Sequence, residues 1–160
     1  MQIEQLTIPA CDGFSLAATC YSPEQNPTNT VVLINAATAV PQRYYKYFAI
    51  FLAREGYTAV TYDYRGIAGS KPTSLRGFTA TASDWALQDM AGVVEWIQQT
   101  QRPRRLFMIG HSFGGQTAGI LPNGNHVAAM VTFSSQSGYW RFQGGNQNLS
   151  APFPVALTLP

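Results

Sequence analysis

A short apolar run, Arg105–Ile109, passes without a break into Gly110-His111-Ser112-Phe113-Gly114-Gly115 and then into a helical stretch over 113–121. Few local geometries suit that order. A strand ends, the chain turns sharply, and a helix starts so close to the strand that only hydrogen fits where Cβ atoms would meet. A strand that feeds a helix is followed by a parallel strand. The rest of the chain keeps this alternation. Val31-Val-Leu-Ile34 reads as a strand buried on both faces. Residues 43–55 are predicted as a helix, with Tyr44, Tyr47, Phe48, Phe51 and Leu52 as its buried stripe and Gly56 closing it. Tyr57–Tyr62 is the next strand. A second helix is expected over 82–99, with Thr81 and Asp84 as its capping box and Leu87, Met90, Ala91, Val94 and Ile97 as its buried stripe. Val127–Phe133 is a further strand. The expected class is α/β, a mostly parallel sheet with flanking helices.

The N-terminus departs from that rhythm. Two strands, about 2–9 and 14–21, flank Asp12-Gly13 and read as an antiparallel hairpin. In that register Cys20 lies opposite Gln5 and Cys11 sits at the turn, roughly 20 Å away. A disulfide needs Cα atoms within about 7 Å. Both cysteines therefore read as free thiols, which points to the cytoplasm.

Composition narrows the function classes. The chain has 10 Lys and Arg against 8 Asp and Glu, a net charge of +2, too small to mark a nucleic-acid binder. Arg102, Arg104 and Arg105 read as a solvated turn. Hydrophobic residues make up 46%, which excludes disorder, yet no apolar run approaches the roughly 18 residues of a membrane span. Met1-Gln-Ile-Glu-Gln lacks the basic and apolar segments of a secretory leader. From Gln143 periodicity disappears, so 1–142 is expected as the folded portion and 143–160 as an irregular tail.

The chemistry sits at Gly110-His-Ser112-Phe-Gly114, a G-x-S-x-G in the strand–turn–helix setting of a nucleophile elbow. Ser112 is the candidate nucleophile, held over the carboxyl end of the sheet, where α/β folds bind ligands. An oxyanion hole needs two donors. One is the backbone N–H of Phe113. The other is expected from Asn35-Ala-Ala-Thr38, with Ala37 the choice and Thr38 the alternate. The same glycines come within one residue of a phosphate loop, but Gln116 stands where that loop needs lysine. No cofactor and no metal is expected. Asp63 and Arg65 read as braces of the loop beside the site, Trp85 and Trp96 as helix packing, and Tyr139 and Trp140 as packing.

Taken together, Asp12-Gly13, Ile34-Asn-Ala-Ala-Thr, Tyr62-Asp-Tyr-Arg-Gly-Ile-Ala-Gly-Ser70, Ile109-Gly-His-Ser-Phe-Gly-Gly115 and Ser135-Gln-Ser-Gly-Tyr-Trp140 resemble the α/β-hydrolase superfamily, most closely its bacterial serine-hydrolase branch. The resemblance spans about 2–142. It implies the first six strands of an eight-stranded sheet, Ser112 as nucleophile, and a small-molecule acyl substrate in full-length relatives. In that family the acid and the histidine follow the serine. Here no Asp or Glu follows Glu95, and the histidines are His111 and His126, neither placed as a general base. The chain as given is therefore expected to be nearly inactive, and the alternative is a truncated hydrolase serving as a binding or assembly module. The strand 127–134 would then be an open edge without charge or proline, inviting a homo-oligomer.

Overall fold

In a computed structural model, which describes residues 1–136, six strands form one sheet in the order β1-β2-β4-β3-β5-β6. They are β1 (Gln2–Pro9), β2 (Ser15–Ser22), β3 (Thr30–Asn35), β4 (Thr58–Tyr62), β5 (Arg105–His111) and β6 (Val127–Phe133). β2 pairs antiparallel with β1 and β4. β3 pairs parallel with β4 and β5, and β5 with β6. This is the α/β class expected, opened by an antiparallel hairpin.

Three helical elements connect the parallel strands: α1 (Lys46–Arg54), α2 over 82–101, and α3 (Phe113–Gln116). The step from β3 to β4 runs one way across the sheet, and the steps to β5 and β6 run the other way. Right-handed crossovers therefore place α1 on one face and α2 and α3 on the opposite face. The capping box starts α2 as expected: Asp84 N–H donates to Thr81 Oγ1 at 3.2 Å and Thr81 N–H to Asp84 Oδ2 at 2.7 Å. Met90, Ala91, Val94 and Ile97 are buried, joined by Trp85, Ala86 and Val93, while Leu87 is exposed.

Two sequence expectations are corrected. Cys20 faces Glu4, not Gln5. Gly13 N–H bonds Ala10 O and Ala10 N–H bonds Phe14 O, so the loop holds three residues, with Gly13 at φ +83 as a bulge. That extra residue shifts the register by one. Both cysteines are free. The second correction concerns the helix predicted over 43–55. Gln42–Tyr45 is a tight 3₁₀ turn, and it changes the phase of the helix that follows. The buried face is Tyr45, Ala49 and Ala53, with Leu52 half-buried. Tyr44, Tyr47, Phe48 and Phe51 are exposed instead. Lys46 lines a cavity over β1 and β2 together with Ile3, Leu6 and Tyr21. Tyr47 and Phe51 lie on the side of α1 away from the buried face, toward solvent.

The core lies between β2, β4, β3 and β5 and the helices on both faces. β3 is buried throughout. β6 is not: Val131 is 64% exposed and Phe133 42%. The expected tail 143–160, and Tyr139 and Trp140, lie outside the described residues. No helix among the described residues is long and apolar enough to cross a membrane.

Candidate active site

Ser112 follows the last residue of β5 and precedes the first of α3, at φ 49 and ψ −113. A non-glycine residue pays on the order of 1–3 kcal/mol for such a conformation, so its surroundings must impose it. They do. Ser112 N–H donates to Phe133 O of β6 at 3.0 Å. Ser112 O accepts from Gly115 N–H at 3.0 Å, from Gln116 N–H at 3.1 Å and from Ser135 Oγ at 2.9 Å. Its side chain does not cap the helix it begins. The close approach read from the sequence is present: a Cβ on Gly110 would lie 2.5 Å from Gly115 Cα, and one on Gly114 would strike the carbonyl oxygen of Asn35. Phe113 drives its ring edge-on against Tyr64 and Trp85, with centroids at 6.1 and 5.3 Å, which anchors the elbow in the core.

The turn after β3 runs alongside. Val40 N–H bonds Ala37 O at 3.1 Å and Ala39 has φ 59, so Thr38 and Ala39 are its central residues. Its amides differ. Ala37 N–H is buried and donates to Tyr45 Oη at 2.9 Å. Thr38 is exposed, and its N–H has no acceptor among the described residues. Tyr45 Oη also bonds His111 Nδ1 at 2.9 Å. The imidazole is sandwiched edge-on to Tyr45 and stacked on Phe133, 4.6 Å between centroids. His126 is exposed just before β6, next to the Leu106 end of β5, so it lies roughly 20 Å along the strands from Ser112. The sequence reading passed over Tyr45, because helical periodicity assigned its neighbour Tyr44 to the buried face. Only the phase change of the 3₁₀ turn reveals it.

The loop after β4 is held by three carboxylates, Asp63, Asp89 and Asp12. Asp63 accepts from Gln42 N–H at 2.7 Å and Gly69 N–H at 3.1 Å. Arg65 donates through Nε to Asp89 at 2.7 Å and through both terminal nitrogens to Asp12 at 2.7 and 2.8 Å. Burial pushes Asp89 up to about 6 even beside this guanidinium. The hydrogen bonds from Arg65 hold Asp12 below its ordinary value. Among the described residues, no group of three or more His, Cys, Asp and Glu is placed to hold a metal. The 680 Å³ cavity over β1 and β2 does not include Ser112.

Comparison with known proteins places this geometry in a family. The family model described as serine aminopeptidase, S33, matches residues 25–146. An abhydrolase domain-containing protein of Dictyostelium discoideum is 33% identical over 91 residues, 54% of this chain and 22% of that protein. A lidless α/β serine hydrolase from Xanthomonas campestris superposes with a TM-score of 0.69 at 16% identity, covering 90% of this chain and 66% of that one. A thermostable carboxyl esterase from Bacillus coagulans gives 0.62 at 16% identity, over 82% and 44%. An esterase from Pyrococcus furiosus gives 0.66 at 19% identity, over 84% and 49%. At such identities the solved structures show the fold alone, and the chain spans 22% to 66% of the lengths of these relatives. The family model matches most of the chain, strands β3 to β6 and the serine turn included: the chain belongs to the α/β-hydrolase family.

Proposed function

We propose that this chain carries the nucleophile and oxyanion side of a serine hydrolase acting on ester, thioester or amide carbonyls of small acyl substrates. The observation that supports it is Ser112 at positive φ on the turn between β5 and α3. Its Oγ would attack the carbonyl. The N–H of Phe113 and an amide of the turn after β3 would hold the oxyanion. Ala37, the residue chosen from the sequence, has its amide engaged by Tyr45, which favours Thr38 as the second donor. A complete cycle also needs an imidazole backed by a carboxylate. His111 is bonded to Tyr45, His126 is at the far end of β5, and no acid follows Glu95. The base must come from outside this sequence. Without it, catalysis falls by several orders of magnitude and only the contribution of the oxyanion hole and binding remains. The free thiols Cys11 and Cys20 fit a cytoplasmic setting. No cofactor or nucleic acid enters this reading.

Fluorophosphonate labelling tests it. Slow labelling that disappears in Ser112→Ala is the expected result. Labelling unaffected by that substitution refutes the nucleophile. Stoichiometric labelling within minutes would mean that a base already acts on Ser112.

A second reading, an assembly module, is favoured by the exposure of β6. Val127–Phe133 carries neither charge nor proline, and among the described residues it pairs with β5 alone. Two copies joined antiparallel through β6 would continue one sheet through a two-fold dimer. Light scattering decides: a stable monomer at micromolar concentration removes this reading.

A further inference from the structure

We propose that Tyr45 is a positioning residue of this site, whose phenol clamps the turn after β3 to the end of β5 and so aims the Thr38 amide at the carbonyl that Ser112 attacks. The inference rests on the serine-hydrolase reading above and assigns the residue that sets its oxyanion geometry.

Three chain segments meet at one oxygen. Tyr45 comes from the 3₁₀ turn that leads into α1, Ala37 from the turn after β3, and His111 from the last position of β5, directly before the nucleophile. A phenol oxygen can accept and its hydroxyl can donate, so one group can hold two partners. Ala37 N–H donates to Tyr45 Oη at 2.9 Å. Tyr45 Oη shares a second hydrogen bond with His111 Nδ1 at 2.9 Å, in a direction set by the imidazole tautomer. Tyr45 is 6% exposed and its bond to Ala37 is buried, which shields that bond from water. Burial also pushes the phenol pKa upward, which keeps its proton in place. Each end of the clamp lies one residue from a group that matters. Ala37 precedes Thr38, and His111 precedes Ser112. Fixing Ala37 N–H inward leaves Thr38 at the second position of a turn whose third residue, Ala39, has φ 59. The amide at that second position is not consumed by the turn itself. The spacing between oxyanion donor and nucleophile is thus set by one side chain belonging to neither.

A double-mutant cycle separates positioning from plain stability. Tyr45→Phe keeps the ring and its packing but removes both hydrogen bonds. Thr38→Pro removes the amide donor at a turn position where proline is favoured. Ser112-dependent fluorophosphonate labelling is followed over tens of hours with excess probe, with Ser112→Ala as background and thermal melts confirming that each variant folds. Removing one oxyanion donor costs about 100- to 1,000-fold in related sites, so mis-aiming it in Tyr45→Phe should slow labelling about 10- to 100-fold. In the Thr38→Pro background, Tyr45→Phe should cause no further slowing, because the group it aims is gone. Equal or faster labelling by Tyr45→Phe overturns the clamp while leaving the serine assignment intact. So does an undiminished effect in the Thr38→Pro background. If the wild-type chain shows no Ser112-dependent labelling at all, the serine reading fails and the inference falls with it.

Discussion

β3 and β6 are both apolar strands without a charged residue. Val-Val-Leu-Ile runs through one and Val-Ala-Ala-Met-Val through the other. Yet β3 is buried along its whole length, whereas no residue of β6 is fully buried. The difference lies in their neighbours. β3 has β4 on one side, β5 on the other, and helices over the sheet on both faces. Among the described residues β6 has β5 on one side only, and its Val131 and Phe133 remain exposed, Phe133 stacking on His111 of β5. Apolar composition states what a strand can tolerate; the elements packed around it decide what it contributes.

That contrast can be broken from the covered half. Asp89→Ala should give the largest effect, a loss of about 3–5 kcal/mol in urea unfolding, because it leaves the Arg65 guanidinium buried with only Asp12 as partner. Leu33→Ala in β3, at 0% exposure, should cost about 2–5 kcal/mol by the same measurement. A pH series sharpens the picture. The folded-state value of Asp89, about 6, lies above the ordinary 3.8, so the folded chain binds its proton more tightly than the unfolded chain. Its contribution therefore falls as pH rises from about 4 to 6 and is flat above. Asp12, held low by Arg65, acts in the opposite sense and loses its contribution as pH drops below about 4. Subtracting the Asp89→Asn curve from that of wild type should leave the fall between pH 4 and 6; a flat difference refutes it. Val131→Ala in β6 should have the smallest effect on the monomer, under about 1 kcal/mol. If it costs as much as Leu33→Ala, β6 is covered in solution. Val131→Pro should then dissociate whatever pairs there, seen as a drop in scattering mass.

Much of this was legible in the residues. The alternation of strands and helices, the capping box at Thr81 and the glycines around Ser112 each rest on local chemistry, and each was read in place. The misreadings have a common origin in phase. One additional hairpin residue moved Cys20 from Gln5 to Glu4. One 3₁₀ turn exchanged Tyr44 for Tyr45 on the buried face of α1. Periodicity reports a spacing, not its starting point, and the start is fixed by contacts distant in sequence. The bond from Ala37 to Tyr45 escaped for the same reason: it depends on which flank of a short turn faces the sheet.

The order β1-β2-β4-β3-β5-β6 also bears on how the chain comes off the ribosome. β1, β2 and β4 can pair from the first 62 residues, and β3 has β4 within reach. The other border of β3 is β5, where Thr30 meets Arg105. At about 5–20 residues per second, β5 is synthesised on the order of 4–15 s after β3. For that interval the strand that ends up buried at every position has one open side, and the serine turn does not yet exist. A nascent chain stalled between residues 62 and 105 should bind holdase chaperones, and one extended past Gly115 with room to clear the exit tunnel should release them.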